Sequence, residues 1–278
     1  MLKTDVNWPK SKRYKSRSHW EPVGFFSDCL CNSMTFDLML GFFSSSAISV
    51  LSDGFATFLH NGGKMRLIIN DILTEQDKKA IQAGLGPETI IPAFDIENIE
   101  LLKDTLSERD IHFFECLSWL IRNERIEIKI IAPKEGEGIA HTKCGIFNDG
   151  ISQVAFEGSV NFSKAALIDN LESLTAFCSW DGHAETIEDI KQEFDITFYE
   201  SNTAVRYIDA EHIKTKLLST FEDKELVELL EDEYDIINKR ISTEMSLTIR
   251  TALNNAKAKV SKAIEKYKAG TLVSTKNL

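Results

Sequence analysis

The sequence predicts an α/β fold: a mixed β-sheet flanked by helices, followed by a long helical segment. Three observations predict it. An apolar run over Phe36–Phe43, a helical spacing over Ile48, Leu51, Phe55 and Phe58 or Leu59, and a second apolar run over Lys64–Asn70 form a strand–helix–strand unit. Arg125–Ala132, Ala140–Phe147 and, after a turn, the residues through Val154 and Phe156 alternate with the period of a strand. From Lys224 to Lys268 there is no Gly or Pro, and Leu226, Leu230, Ile237, Ile241, Leu253, Val260 and Ile264 recur at helical intervals.

Taken in order, residues 1–20 read as a basic N-terminal arm without periodicity. Ser44-Ser45-Ser46 offers cap chemistry to the first helix, and Asn61-Gly62-Gly63 ends it. The two strands on either side should be parallel, as a βαβ crossover requires. Thr74 and Asp77 suggest a capped helix to about Leu85, and further helices are expected near Glu97–Asp104 and Ile111–Asn123. Pro133 to Gly138 is a loop that delivers the chain to His141. Leu174–Trp180 reads as a strand and His183–Tyr199 as an amphipathic helix. Lys224–Lys268 is either one long helix or a helical hairpin. The expected organisation is an arm over 1–20, a catalytic domain over 21–208 and a helical extension over 209–278.

Composition narrows the class. The chain has 278 residues, 43% hydrophobic and 27% charged, which is ordinary globular usage. Its best candidate for a membrane span, Met34–Leu59, is broken by Asp37, the serine cluster and Asp53. The basic, polar N-terminus does not read as a secretory signal. Five scattered cysteines favour reduced thiols in a cytoplasmic protein over a disulfide frame. Cys29-x-Cys31 is too tight for the usual zinc spacing and has no partner pair.

The net charge of −11 argues against a nucleic-acid partner, but its distribution does not. Lys3, Lys10, Lys12, Arg13, Lys15 and Arg17 crowd the first twenty residues, with Trp8, Tyr14 and Trp20 between them. Nine Lys or Arg follow from Lys239 onward, against Glu244 and Glu265. Basic ends with aromatics suit a phosphate backbone. Solvated terminal charges explain them equally well.

The chemistry concentrates after residue 140. His141 and Lys143, two apart on a strand, point to one face, while Cys144 and Ile146 face the core. The turn Asn148-Asp149-Gly150 returns the chain through Val154 and Phe156 to Gly158, Ser159 and Asn161. Gly158 lets the backbone pass close to a ligand. Ser163 and Asn170 are candidate substrate-binding residues, with helix capping as the competing role. Glu172 precedes the next strand. A neutral imidazole can attack phosphorus and form a phosphohistidine. Lysine, hydroxyl and amide donors stabilise the charge on the equatorial oxygens. A carboxylate can orient the imidazole, and a second, protonated imidazole must serve the leaving oxygen. One full set occurs per chain, so two chains about a two-fold axis would pool theirs. The scheme needs no metal and no cofactor.

His141, Lys143, Gly158, Ser159 and Asn161 together resemble the signature of the phospholipase D superfamily, His-x-Lys followed by Gly-Ser-x-Asn. Gly41-Phe42-Phe43 through Gly63–Leu67 also looks like that family's first βαβ unit, so the resemblance covers roughly residues 20–200. Many members carry an Asp seven residues after the His, where this chain has Asn148, with Asp149 beside it. The spacing of Lys143, Asn161 and Glu172 resembles the metal-independent restriction endonucleases, which work as homodimers, and the phospholipase D-like domains that precede helicases in bacterial defence proteins. The resemblance implies catalytic roles for His141, Lys143, Ser159, Asn161 and Glu172, a DNA substrate, a homodimer, and a possible helicase or defence-system partner. The departure at Asn148 counts against a phospholipase. Two further readings stand beside the nuclease: a non-catalytic nucleic-acid-binding or dimerisation module, and a phospholipid phosphodiesterase. No membrane partner is expected.

Overall fold

The computed structural model describes residues 1–15, 18–40, 51–70, 99, 103–134, 143–158 and 173–270. Eight strands form one sheet: β1 (Arg13–Lys15), β2 (Thr35–Leu40), β3 (Lys64–Asn70), β4 (Ile126–Pro133), β5 (Lys143–Asn148), β6 (Gln153–Gly158), β7 (Ser173–Cys178) and β8 (Val205–Ile208). Their order across the sheet is β1-β7-β6-β5-β2-β3-β4-β8. The pairs β2–β3 and β3–β4 are parallel, and every other pair is antiparallel. This is the mixed sheet that the alternating patterns predict, with the parallel centre that the strand–helix–strand unit requires.

Each face of the sheet carries a different thickness of helix. On one side lie α1 (Leu2–Asp5), α2 (Pro22–Leu30), α3 (Phe55–His60), α4 (Glu108–Arg122), α6 (Glu211–Thr220), α7 (Leu226–Thr243) and α8 (Leu247–Lys268). Their apolar faces meet Phe36, Leu38, Leu67, Ile128, Phe147, Phe156 and Leu174 in one large core. On the other side α5 (Ala184–Phe198) buries Ile187, Ile190, Phe194 and Phe198 against Met39, Ile68, Ile131, Cys144, Ile146 and Ala155. The two sets of sheet residues differ by odd steps in sequence, as the pleat demands. Close packing sets one glycine on β5: a Cβ at Gly145 would lie 2.6 Å from the Phe156 ring and 2.7 Å from the carbonyl of Asp37.

Several boundaries differ from expectation for identifiable reasons. α4 starts at Glu108 rather than near Ile111, because Ser107 and Asp110 close a capping box. α2 escaped the sequence reading because most of its length is buried, which erases the polar stripe of an amphipathic helix. Its start is marked by Pro22 in the first turn. The short edge strand β8 and the helix α6 were likewise not anticipated. The helix expected from Thr74 to Leu85 lies outside the described residues. Of that expected over Glu97–Asp104, Ile99 and a 3-10 turn over Lys103–Thr105 are described.

The expected three-part organisation does not match the packing. Residues 1–15 are no loose arm: β1 pairs with β7, Leu2 is fully buried, and Tyr14 lies in the main core. Trp8 packs edge-on against Phe25 and Trp180, and Trp20 against Tyr14, so both tryptophans are half-buried against the main core. Lys12 pairs with Asp181 at 3.0 Å. The segment from Lys224 resolves as the hairpin alternative. Ser246 caps α8 by accepting from the Ile249 amide, which separates it from α7. Leu229, Leu230, Ile237, Leu253 and Val260 enter the same core as the sheet, so the C-terminal helices are not a separate appendage.

A buried polar network ties α7 to α3 and α4. Glu233 accepts from the Ala56 amide at 2.6 Å and, through its other oxygen, from the Thr57 hydroxyl at 2.9 Å, with His112 Nε2 3.7 Å from the oxygen that takes the Ala56 amide. Both Glu233 and His112 are almost fully buried. Burial lowers the pKa of His112, and the Cys116 sulfur and Glu233 carboxylate beside it more than reverse that, so the ring is held above its ordinary value.

Candidate functional site

The strand directions gather one end of the sheet. β2, β3, β4 and β6 finish there, at Leu40, Asn70, Pro133 and Gly158, and β5 and β7 begin there, at Lys143 and Ser173. Lys143 stands opposite Gly158, and Gly158 opposite Leu174. In open α/β sheets the carboxyl ends of the parallel strands are where ligands gather. Lys143 is only 8% exposed. Alternation sets it on the face of Phe147, and Cys144 and Ile146 on the α5 face, as the period-two reading expects.

Of the candidate residues, Lys143 and Gly158 are thus adjacent at this end. His141, Ser159, Asn161, Ser163, Asn170 and Glu172 lie outside the described residues. In sequence, His141 precedes Lys143 by two residues, Ser159 follows Gly158 directly, and Glu172 precedes Ser173.

Two expectations change. Gly158 was expected to admit a ligand. The close approach the structure shows is to the neighbouring strand: an added Cβ would meet the carbonyl of Ser173 at 2.6 Å and the Leu174 side chain at 2.9 Å. The glycine therefore lets β6 and β7 converge at their ends. The second change concerns Asn148. It ends β5, about 17 Å from Lys143 by strand length, and its side chain accepts from the Gly150 amide at 2.7 Å. Asp149 accepts from the amides of Leu2, Ile151 and Ser152, at 2.7, 2.9 and 2.6 Å. Burial works against its ionisation, and these amides outweigh it, leaving the pKa below the ordinary value. Position 148 thus shapes a turn far from Lys143, and its identity does not count against a lipid substrate.

A cluster the sequence did not announce lies toward the same end as Lys143. α3 finishes at His60, shortly before β3 starts, so its N-terminus points to the end where β3 finishes. Just before it, Asp53 is completely buried and pairs with Arg240 of α7. Arg109 of α4 reaches the same carboxylate at 3.4 Å and the Ser52 hydroxyl at 3.3 Å. Burial pushes both arginines down to about 10, so both remain cationic at neutral pH. One oxygen of Asp53 has no hydrogen-bond partner. No local motif marks this trio, which spans 187 residues of sequence. The available signal was Asp53 itself, one of two carboxylates in the stretch from Met34 to Leu59.

His112, Glu115 and Asp232 also bring three ligand-type atoms within 4.8 Å of one another. Lys224 already bridges the two carboxylates, at 2.8 and 2.9 Å, and so fills the cationic position. With His112 held toward its protonated form beside Glu233, the group fits a charge network better than a metal centre. All five cysteines are buried and unpaired with one another, in line with the expectation of free thiols. Among the described residues no helix is long and apolar enough to cross a membrane.

No protein-family model matches the chain, and no curated protein matches it. Among solved structures it is similar to a polyphosphate kinase from Porphyromonas gingivalis, with a TM-score of 0.41 and 13% identity, over 94% of this chain and 28% of that one. The chain thus spans less than a third of that protein's length. A likeness of this degree bears on neither activity nor substrate.

Proposed function

We propose that the chain is a metal-independent phosphodiesterase of phospholipase D type, acting on DNA as an endonuclease within a homodimer. The observation that carries this reading is the placement of Lys143 opposite Gly158, at the sheet end where β5 starts and β6 and the central parallel strands finish. One residue of each half of the composite motif is therefore anchored at one place, although fourteen residues separate them in sequence. The register of the β5–β6 hairpin brings the two together, and the sheet sets that end of the hairpin beside the carboxyl ends of the parallel strands.

In this reading the His141 imidazole attacks phosphorus and the P–O bond to the leaving strand breaks. His141 of the second copy donates its proton to the departing oxygen. Water then hydrolyses the phosphohistidine, giving up its proton to that second imidazole. Lys143, Ser159 and Asn161 stabilise the charge on phosphorus oxygens, Glu172 orients the histidine, and Ser163 and Asn170 hold the substrate. A helicase or another defence-system subunit would supply sequence choice, since the described elements after β7 pack on the sheet and its core.

The test is cleavage of plasmid and oligonucleotide DNA in excess EDTA, with acid-labile phosphate trapped on the protein. Cleavage is expected to persist in EDTA, to vanish in His141→Ala, and to leave label on His141. Loss of cleavage with EDTA, or undiminished cleavage by His141→Ala, would sink the proposal. Light scattering should give twice the chain mass; a strict monomer would leave the leaving oxygen without its acid. α7 and α8 pack their apolar faces into the chain's own core, which weakens the reading as a non-catalytic dimerisation module built on the long helical segment. The phospholipid reading shares the chemistry and is tested in the same assay with phosphatidylcholine vesicles.

A further inference from the structure

The opposite end of the sheet holds a cavity of about 450 Å³ lined by α8, the end of α3, and the residues leading into β2. Met34 precedes β2, His60 and Asn61 precede β3, and Asp149 follows β5, so the cavity lies a strand's length, about 20 Å, from Lys143. Lys259, Lys262 and Lys266 of α8 line it, at spacings of three and four that place them on one helix face.

Two orphaned polar atoms mark it out. The Lys259 ammonium is sealed from solvent yet has no hydrogen-bond partner, and neither has the His60 Nδ1 atom. A buried ammonium without partners costs several kcal/mol unless something compensates it. Asp28 of α2 and Asp5 of α1 feel the Lys259 charge but do not bond it. Asp5 instead accepts from the chain's own amino terminus at 2.8 Å, and Asp149 is taken by backbone amides. Asp5 and Asp149 are thus occupied, while the Lys259 ammonium has no hydrogen bond.

The larger cavity, about 540 Å³ and lined by Thr35, Asp37 and Arg66, makes the contrast. There Arg66 is held by Asp37 at 2.8 Å and Asp195 at 2.8 Å and lies over Phe194 and Phe198, leaving it neutralised. Of these two cavities, the α8 cavity is the one that combines a buried ammonium without a hydrogen bond with further lysines on the same helix face.

We infer that the α8 cavity is a second anion site, taking a phosphate group through Lys259, Lys262 and His60. A rotamer change that turns the Lys259 ammonium from its sealed position into the cavity would let phosphate oxygens accept from it and from its neighbour Lys262, which is exposed and draws the anion in. The His60 ring is neutral at pH 7, since burial and the Lys266 charge both lower its pKa, so with its proton on Nδ1 it donates one hydrogen bond without adding charge. The phosphate is either a small free ion or one unit of a nucleic-acid backbone, and the chemistry at the cavity is the same for both.

The experiment is isothermal titration of the full chain, in EDTA at fixed ionic strength, with inorganic phosphate and separately with a short single-stranded oligonucleotide. The variants are Lys259→Met, which keeps the buried stem, and Lys262→Glu, which sits at the surface and spares the fold. Each is expected to weaken binding by about tenfold or more, and His141→Ala is expected to leave this site's binding intact. Saturable phosphate binding with that pattern identifies a small ion, and binding of the oligonucleotide alone with that pattern identifies a strand; both support the site. Affinities unchanged in both lysine variants, or no saturable binding of either probe, would overturn it. Because the His141→Ala control separates the two ends of the sheet, the outcome is independent of the catalytic proposal.

Discussion

Gly158 stands opposite Lys143 in the β5–β6 ladder, and a Cβ on it would sit 2.6 Å from the Ser173 carbonyl oxygen. That oxygen belongs to the backbone of the adjoining strand, so it cannot swing aside as a side chain would. Gly158→Ala should therefore cost about 1–3 kcal/mol, the usual penalty for overpacking. Urea denaturation of the purified variant checks it; a midpoint equal to wild type would mean that β6 and β7 separate freely at this end.

The Asp53–Arg240 pair predicts a different signature. Arg240→Met leaves a fully buried carboxylate facing Arg109 alone, and breaking a buried pair from one side costs about 3–5 kcal/mol. Adding Asp53→Asn removes the stranded charge and should recover a large part of the loss. The double-mutant cycle in denaturant measures the coupling, and simple additivity of the two single losses would contradict it.

His112 makes stability depend on pH. Its folded pKa is raised above the ordinary value of 6.5, so the stabilisation is fully present below 6.5 and is lost as pH rises through the folded value. The groups facing the ring are Glu233 from α7, and Cys116 and Glu115 from its own helix. Raised acids such as Asp28, pushed up to about 6, act at lower pH. Stability should fall by about 1 kcal/mol per pH unit just above neutrality. His112→Gln should flatten that slope, and equal slopes in the two proteins would remove the assignment.

Lys143→Met tests the catalytic proposal from the described side of the site. The methionine keeps the buried stem and removes the charge that would stabilise the phosphorus oxygens. The DNA-cleavage rate in EDTA should drop by about 10²-fold or more, the scale seen when one such donor is removed. Circular dichroism should remain that of the wild type. A kcat within about twofold of wild type would remove Lys143 from the machinery.

Much of the fold was legible in the chain. The strands over Phe36–Leu40, Lys64–Asn70, Arg125–Ala132 and the Lys143–Phe156 hairpin follow from alternation and apolar runs, because pleating dictates a period of two and burial on both faces removes it. α5 was legible because one of its faces meets solvent. α2 was not, since a helix buried along most of its surface shows no stripe. The N-terminal segment misled for a related reason. β1 has three residues, too few for periodicity, and its place is decided by a β7 edge far along the chain.

Returning to the site, sequence by itself determined that His141, Lys143, Gly158, Ser159 and Asn161 exist at a spacing suited to phosphodiester chemistry, because strand alternation and a tight turn are local properties. Tertiary structure alone decided that the open end of this hairpin, with Lys143 and Gly158, lies where the central parallel strands finish. It alone also brought Asp53 to Arg240, and Lys259 to His60, across most of the chain. Pairings of that kind have no sequence signal, since they follow from which helix faces pack together, and burial then converts ordinary charged residues into coupled groups.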